Sequence, residues 1–145
     1  MRAERKRLLQ GIQVGDRFTL EKVFTKPESQ AFAGITGDEN PVHSSDAFAR
    51  AKGFRGPINH GLLTASMLTD IGGQLAFLAT EMRFEFLQPA YFGEKIRCEW
   101  MFTDVHGLLA EAEVTFANVS GRRIILAYLK GRLPDEQQRK MLERL

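Results

Sequence analysis

Pro57-Ile58-Asn59-His60-Gly61-Leu62-Leu63-Thr64-Ala65-Ser66-Met67-Leu68-Thr69 is the stretch on which the fold turns. From Leu62 onward the residues are apolar or small on nearly every side of a helical projection. A helix with no wide polar face is expected to be buried all round. Gly53, Gly56 and Pro57 mark irregular backbone before it, and Gly61 opens it. Such a helix needs something to wrap it.

The wrapper is legible downstream. In Glu81-Met82-Arg83-Phe84-Glu85-Phe86 the apolar residues face one way and the charges the other, the pattern of a strand with one wet side. Ile96, Cys98, Trp100 and Phe102 alternate with polar neighbours in a second strand, and Ala110, Ala112, Val114 and Phe116 in a third. Arg122 to Leu133 reads as a fourth, more apolar strand that Pro134 stops. His106-Gly107 and Ser120-Gly121 supply the turns, and Arg17 to Phe24 supplies an earlier strand. Short turns between consecutive strands imply antiparallel pairing. The expectation is an α+β fold, an antiparallel sheet of about five strands wrapped around a buried central helix.

Between the early strand and the helix lies Ile35-Thr36-Gly37-Asp38-Glu39-Asn40-Pro41-Val42-His43. A helix with capping-box spacing at Thr25 and Glu28, Pro27 in its first turn and an apolar stripe of Phe32 and Ile35 delivers the chain to it. Gly37 can take backbone angles closed to other residues, and Pro41 pushes Asn40 toward an extended conformation. The segment therefore turns, and a turn can bring His43 back beside Asp38 at one cavity. An Asx-turn, in which Asp38 and Asn40 only bond nearby backbone N–H groups, explains the same residue types. Beyond it, Ser44, Ser45 and Asp46 offer caps for a short helix.

Composition sets the bounds. The 145 residues suffice for one domain, 1–145, with short charged extensions at 1–10 and 135–145. Its 43% hydrophobic and 26% charged residues are ordinary for a globular protein. A net charge of +2 from 20 basic and 18 acidic residues gives no overall field for nucleic acid. The basic segment Met1 to Gln10 reads as a solvated surface helix, and Asp135 to Leu145 as another, with Met141, Leu142 and Leu145 on its inner side. The lone Cys98 excludes an intrachain disulfide and suits a reducing, cytoplasmic setting. No uninterrupted apolar run has the length of a membrane span or the form of a signal peptide.

The run Phe32 to His43, followed by Pro57-Ile58-Asn59-His60-Gly61-Leu62-Leu63 and later Phe84-Glu85-Phe86-Leu87-Gln88-Pro89, resembles the MaoC-like (R)-specific enoyl-CoA hydratases and dehydratases. Asp-x-Asn-Pro-x-His followed by His-Gly is a far more specific signal as a pair than either half alone. The resemblance implies a hot-dog fold, as a homodimer or a dimer of dimers. It also implies reversible addition of water to a trans-2-enoyl thioester, in fatty acid metabolism. Coenzyme A or acyl carrier protein belongs to the substrate in that reaction, and no separate cofactor is implied. Asp38 and His43 fall on the family's catalytic positions, Gly61 on the position whose N–H binds the thioester carbonyl, and Asn40 on one that holds the loop.

The residue types fit those roles on their own chemistry. Hydration needs a base for water, an acid for the α-carbon and a donor for the enolate oxygen. Asp and His can share the water. Gly61, opening a helix, has an N–H without a helical partner and no side chain in the way. His60 is expected to bond backbone rather than substrate, and Ser66 and Thr69 to bond back to carbonyls. Asp70 stands at an exposed helix end or in an ion pair. The family's Pro-Gly-rich loop after the central helix is replaced by Gly72-Gly73-Gln74-Leu75-Ala76-Phe77-Leu78, a segment expected to help shape the acyl pocket. Two other readings stay open: a hot-dog thioesterase that directs water at the carbonyl carbon, and a non-catalytic acyl-thioester binder. Asp38, His43 and His60 do not have the spacing of a metal motif, so none is assigned.

Overall fold

The computed structural model describes residues Met1–Leu145. Its elements, in order, are α1 (Ala3–Gln10), β1 (Arg17–Val23), α2 (Lys26–Thr36), a 3-10 turn (Pro41–His43), α3 (Asp46–Ala51), α4 (Gly61–Ala65), α5 (Met67–Gln74), β2 (Leu78–Phe86), β3 (Lys95–His106), β4 (Leu109–Asn118), β5 (Arg123–Arg132) and α6 (Glu136–Leu142). The strands form one antiparallel sheet in the order β1-β3-β4-β5-β2, so β1 and β2 are its edges. Register places Phe18 opposite Trp100 and Trp100 opposite Val114, aligning the apolar residues of three strands on one face.

That face holds the core. Ile96, Cys98, Trp100 and Phe102 of β3 and Ala110, Ala112, Val114 and Phe116 of β4 are all buried, as their alternation requires. Against them pack Ala65, Met67, Leu68 and Ile71 of the helical segment. Phe77 stands edge-on to Trp100, with ring centroids 5.2 Å apart. Cys98 is enclosed here, and burial pushes its thiol up to about 12, which removes thiolate chemistry.

The central helix departs from expectation in two ways. It breaks at Ser66 into α4 and α5, where the Ser66 hydroxyl donates to the Leu63 carbonyl and the Thr69 hydroxyl to the Ser66 carbonyl. Such back-bonding bends helices. Nor is it buried all round: Leu62, Thr69, Asp70 and Gly73 are exposed, because the sheet covers one side only. Asp70 is held by Arg2 at 2.6 Å.

The edge strand β2 shows the same shortage of cover. Met82, Phe84 and Phe86 lie opposite Leu129, Ala127 and Ile125, on the core side of the sheet as their pattern predicts. Yet Met82 is 44% and Phe86 54% exposed, because no helix extends over this margin. Ile35, expected on the apolar stripe of α2, projects outward, and so do Met141 and Leu145 of the C-terminal segment. α6 ends at Leu142, which leaves Leu145 past its last turn. The basic N-terminal helix is less solvated than its charges suggest. Leu8 is buried in the core, Arg7 pairs with Asp16, and Arg5 donates from Nε to the Gln74 carbonyl at 2.6 Å. No helix is long and apolar enough to cross a membrane.

Candidate active site

The loop after α2 is built by local chemistry. Thr25 caps the helix in a reciprocal capping box with Glu28, and Gly37 ends it in the left-handed conformation at φ 75°, with its N–H donating to the Ala33 carbonyl. Asp38 then divides its carboxylate. Oδ1 accepts from the Asn40 N–H at 3.1 Å, closing an Asx-turn, while Oδ2 faces His43 Nε2 at 3.7 Å. Asn40 Oδ1 in turn accepts from the Val42 N–H and caps the 3-10 turn that carries His43. The turn-forming and site-forming readings of this sequence both hold, one for each carboxylate oxygen.

His43 is oriented from behind. Its Nδ1 lies 2.9 Å from the Ile58 carbonyl, which can only accept, so Nδ1 carries the hydrogen and a neutral ring presents the Nε2 lone pair to Asp38. Burial pushes the imidazole below its ordinary range. The bond to Ile58 opposes that shift, the neighbouring His60 adds to it, and the Asp38 carboxylate opposes it. At 3.7 Å, Asp38 and His43 are too far apart for a direct hydrogen bond and well placed to share a small molecule between them.

His60 lies beneath them. Its ring stacks on that of His43 with centroids 3.8 Å apart, Nε2 donates to the Asp38 main-chain carbonyl at 3.1 Å, and Nδ1 lies 3.0 Å from the Ser29 hydroxyl. The expectation that it bonds backbone is met, and it also lines the site. Ligand atoms of Asp38, His43 and His60 come within 4.8 Å of one another. His60 Nε2, committed as a donor to a carbonyl, has no lone pair to give an ion, so the cluster offers only two ligands.

Two hollows meet at His43. One, of about 410 Å³, is polar and takes in Lys26, Gln30, Asp38, Asn40 and His60. The other, of about 390 Å³, is mostly apolar and is walled by Phe54, Ile58, Phe86, Leu87, Ile124 and Ile125, with Gly61 and Thr64. Gly61 is the first residue of α4, and its N–H has no helical acceptor. Because the helix breaks after five residues, the value of this donor rests on the free N–H more than on a long helix dipole. A Cβ built at Gly61 would lie 2.7 Å from Phe86 Cε1.

A family model described as MaoC like domain matches residues 11–121. The chain belongs to that family. This MaoC-like chain is 33% identical over 96 residues to the (R)-specific enoyl-CoA hydratase of Aeromonas caviae, an alignment that takes in 62% of the chain and 70% of that protein. It is 30% identical over 87 residues to the mitochondrial 3-hydroxyacyl-[acyl-carrier-protein] dehydratase of Arabidopsis thaliana, over 59% of the chain and 52% of that protein. A solved structure, the (R)-hydratase from A. caviae involved in PHA biosynthesis, superposes with a TM-score of 0.80 at 28% identity, covering 86% of this chain and 99% of that one. The fold is therefore the hot-dog fold.

In the MaoC-like chain, Asp38, His43, Asn40, His60 and Gly61 all line or support one site. The segment Gly72 to Leu78 lines neither hollow at His43; Leu75 is in the core and Ala76 and Leu78 border a separate cleft near α6. α5 carries the segment away from Gly61 and from both hollows. Sequence reading missed Ser29, Phe54, Phe86, Ile124 and Ile125. Phe86, Ile124 and Ile125 read only as strand residues and Phe54 was not singled out, and the sharp Gly61–Phe86 approach marks one of them as special.

Proposed function

We propose that the chain catalyses reversible hydration of trans-2-enoyl thioesters of coenzyme A or acyl carrier protein to (R)-3-hydroxyacyl thioesters. The observation that carries this reading is the separation of Asp38 Oδ2 and His43 Nε2, 3.7 Å, with each side chain's other polar atom already committed. A water between them gives a hydrogen to each. As its oxygen adds to the β-carbon, one proton passes to the pair, and the pair returns a proton to the α-carbon, so the protein ends as it began. Electron density moves meanwhile onto the thioester oxygen, which the Gly61 N–H receives. Asn40 holds the loop, and His60 supports the Asp38 backbone. The apolar hollow takes the acyl tail, and the carrier leaves through the polar one. This chemistry asks for no separate cofactor.

The active form in this reading is a homodimer, with residues 1–145 as one domain in a reducing compartment. β1 presents a charged edge, with Arg17, Glu21 and Lys22, whereas β2 presents Met82 and Phe86 half-exposed on the core side. A second copy seated along β2 covers them and Leu62 beside the site.

Crotonyl-CoA given to the purified protein should lose the absorbance of its conjugated thioester. Asp38→Asn and His43→Ala should each lower kcat by roughly 10² to 10⁴. Wild-type rates in both variants would refute the assignment, and release of free thiol would identify a thioesterase instead.

A further inference from the structure

Ser29 is the buried residue of α2, 5% exposed, on the turn that follows the Thr25 cap. Its hydroxyl lies 3.0 Å from His60 Nδ1, across 31 residues of sequence. We infer that Ser29 is a positioning residue, whose hydroxyl holds His60 in the Nε2–H tautomer and so keeps the Asp38 main chain where its carboxylate meets His43.

One buried ring has two nitrogens to satisfy, one by donating and one by accepting. The Asp38 carbonyl, 3.1 Å from His60 Nε2, accepts only, so Nε2 must carry hydrogen. With the hydrogen on Nε2, the lone pair of the ring lies at Nδ1, and His60 is 2% exposed. The Ser29 hydroxyl is its partner and can donate to it. With both ends tied, the ring cannot tilt, and its face carries the stacked His43 ring at 3.8 Å. Without the hydroxyl, a buried acceptor is left unpaired, which penalises the very tautomer that grips Asp38. Ser29 touches no reacting atom; it acts through His60 on the Asp38 loop.

The kinetic half of this inference rests on the hydratase reading, and the structural half does not. The test is Ser29→Ala in ¹⁵N-labelled protein, with long-range proton–nitrogen spectra of the imidazoles. The chain has 3 histidines, and His106, in an exposed hairpin, is assigned by His106→Gln. Wild-type His60 should show one tautomer with a protonated Nε2. Ser29→Ala should show exchange between tautomers and a kcat on crotonyl-CoA lower by about tenfold, with KM changed by less than about twofold. Ser29→Thr, which keeps the hydroxyl, should restore both. Unchanged ring nitrogens in Ser29→Ala overturn the inference, and so does a wild-type kcat. A wild-type protein without turnover sinks the hydratase reading alone, since the nitrogen spectra need no substrate.

Discussion

At His43, burial lowers the imidazole from its ordinary 6.5, and the hydrogen bond to Ile58 only partly offsets it. Below 6.5 the unfolded chain therefore binds a proton at this residue that the folded chain resists. The contribution of His43 to stability is complete above 6.5 and is lost as pH falls through the folded value. The same proton would occupy Nε2, so kcat/KM should hold down to a pH below 6.5 before its acid limb falls. Asp38 raises this pKa, so an NMR titration of Asp38→Asn should find His43 titrating at lower pH than in wild type. A His43 pKa above 6.5 in the native protein would contradict the burial argument. This residue and Asp38 were legible in sequence because a glycine, an Asx-turn and a proline determine the loop within ten residues. Ser29 was not. A serine on a helix carries no period, and its partner is named only once the fold brings position 60 beneath position 38.

Among the elements, α4 and β2 meet at Gly61 and Phe86. The added methyl of Gly61→Ala would lie 2.7 Å from the Phe86 ring, but that ring is half-exposed and can swing outward. The substitution should change the unfolding free energy by less than about 1 kcal/mol, read from the denaturation midpoint. It should nevertheless cut kcat/KM by roughly tenfold or more, since the methyl and the displaced ring intrude on the N–H proposed to receive the enolate charge. A large loss of stability would mean that Phe86 is clamped. Caps and strands followed from sequence directly: Thr25 with Glu28, Ser45 before α3, and the alternation in β3 and β4 all stand where their chemistry puts them. The helix faces did not, because apolar spacing reports that a face is to be covered without saying by what. Ile35 and Leu62 keep the right spacing and lie uncovered. The basic α1 misled for the opposite reason. Its arginines are used inward, Arg5 on the last carbonyls of α5 and Arg2 on Asp70, so charge density there marks a clamp on the central helix.

At the scale of the molecule, the sheet ends in two unlike margins. If β2 is the seam between two copies, Met82→Lys should shift the protein from dimer to monomer in sedimentation, through an unpaired charge placed in an apolar joint. A dimer that survives this change would move the seam elsewhere. Because alternation and turn residues are local, the sequence foretold the sheet, its handful of strands and a helix packed against it, though not that one side of that helix would stay uncovered. It could not foretell which strand would lie outermost, since β2 reaches its neighbour β5 only through the order β1-β3-β4-β5-β2. That order also governs how far assembly can go. Two β2 margins joined about a two-fold axis use up both sticky borders at once, and what remains at either end of the joined sheet is the charged margin of β1, with Arg17, Glu21 and Lys22. In a pair joined at β2, sheet growth would end there, and the difference between the two margins would keep the protein from extending into a fibre.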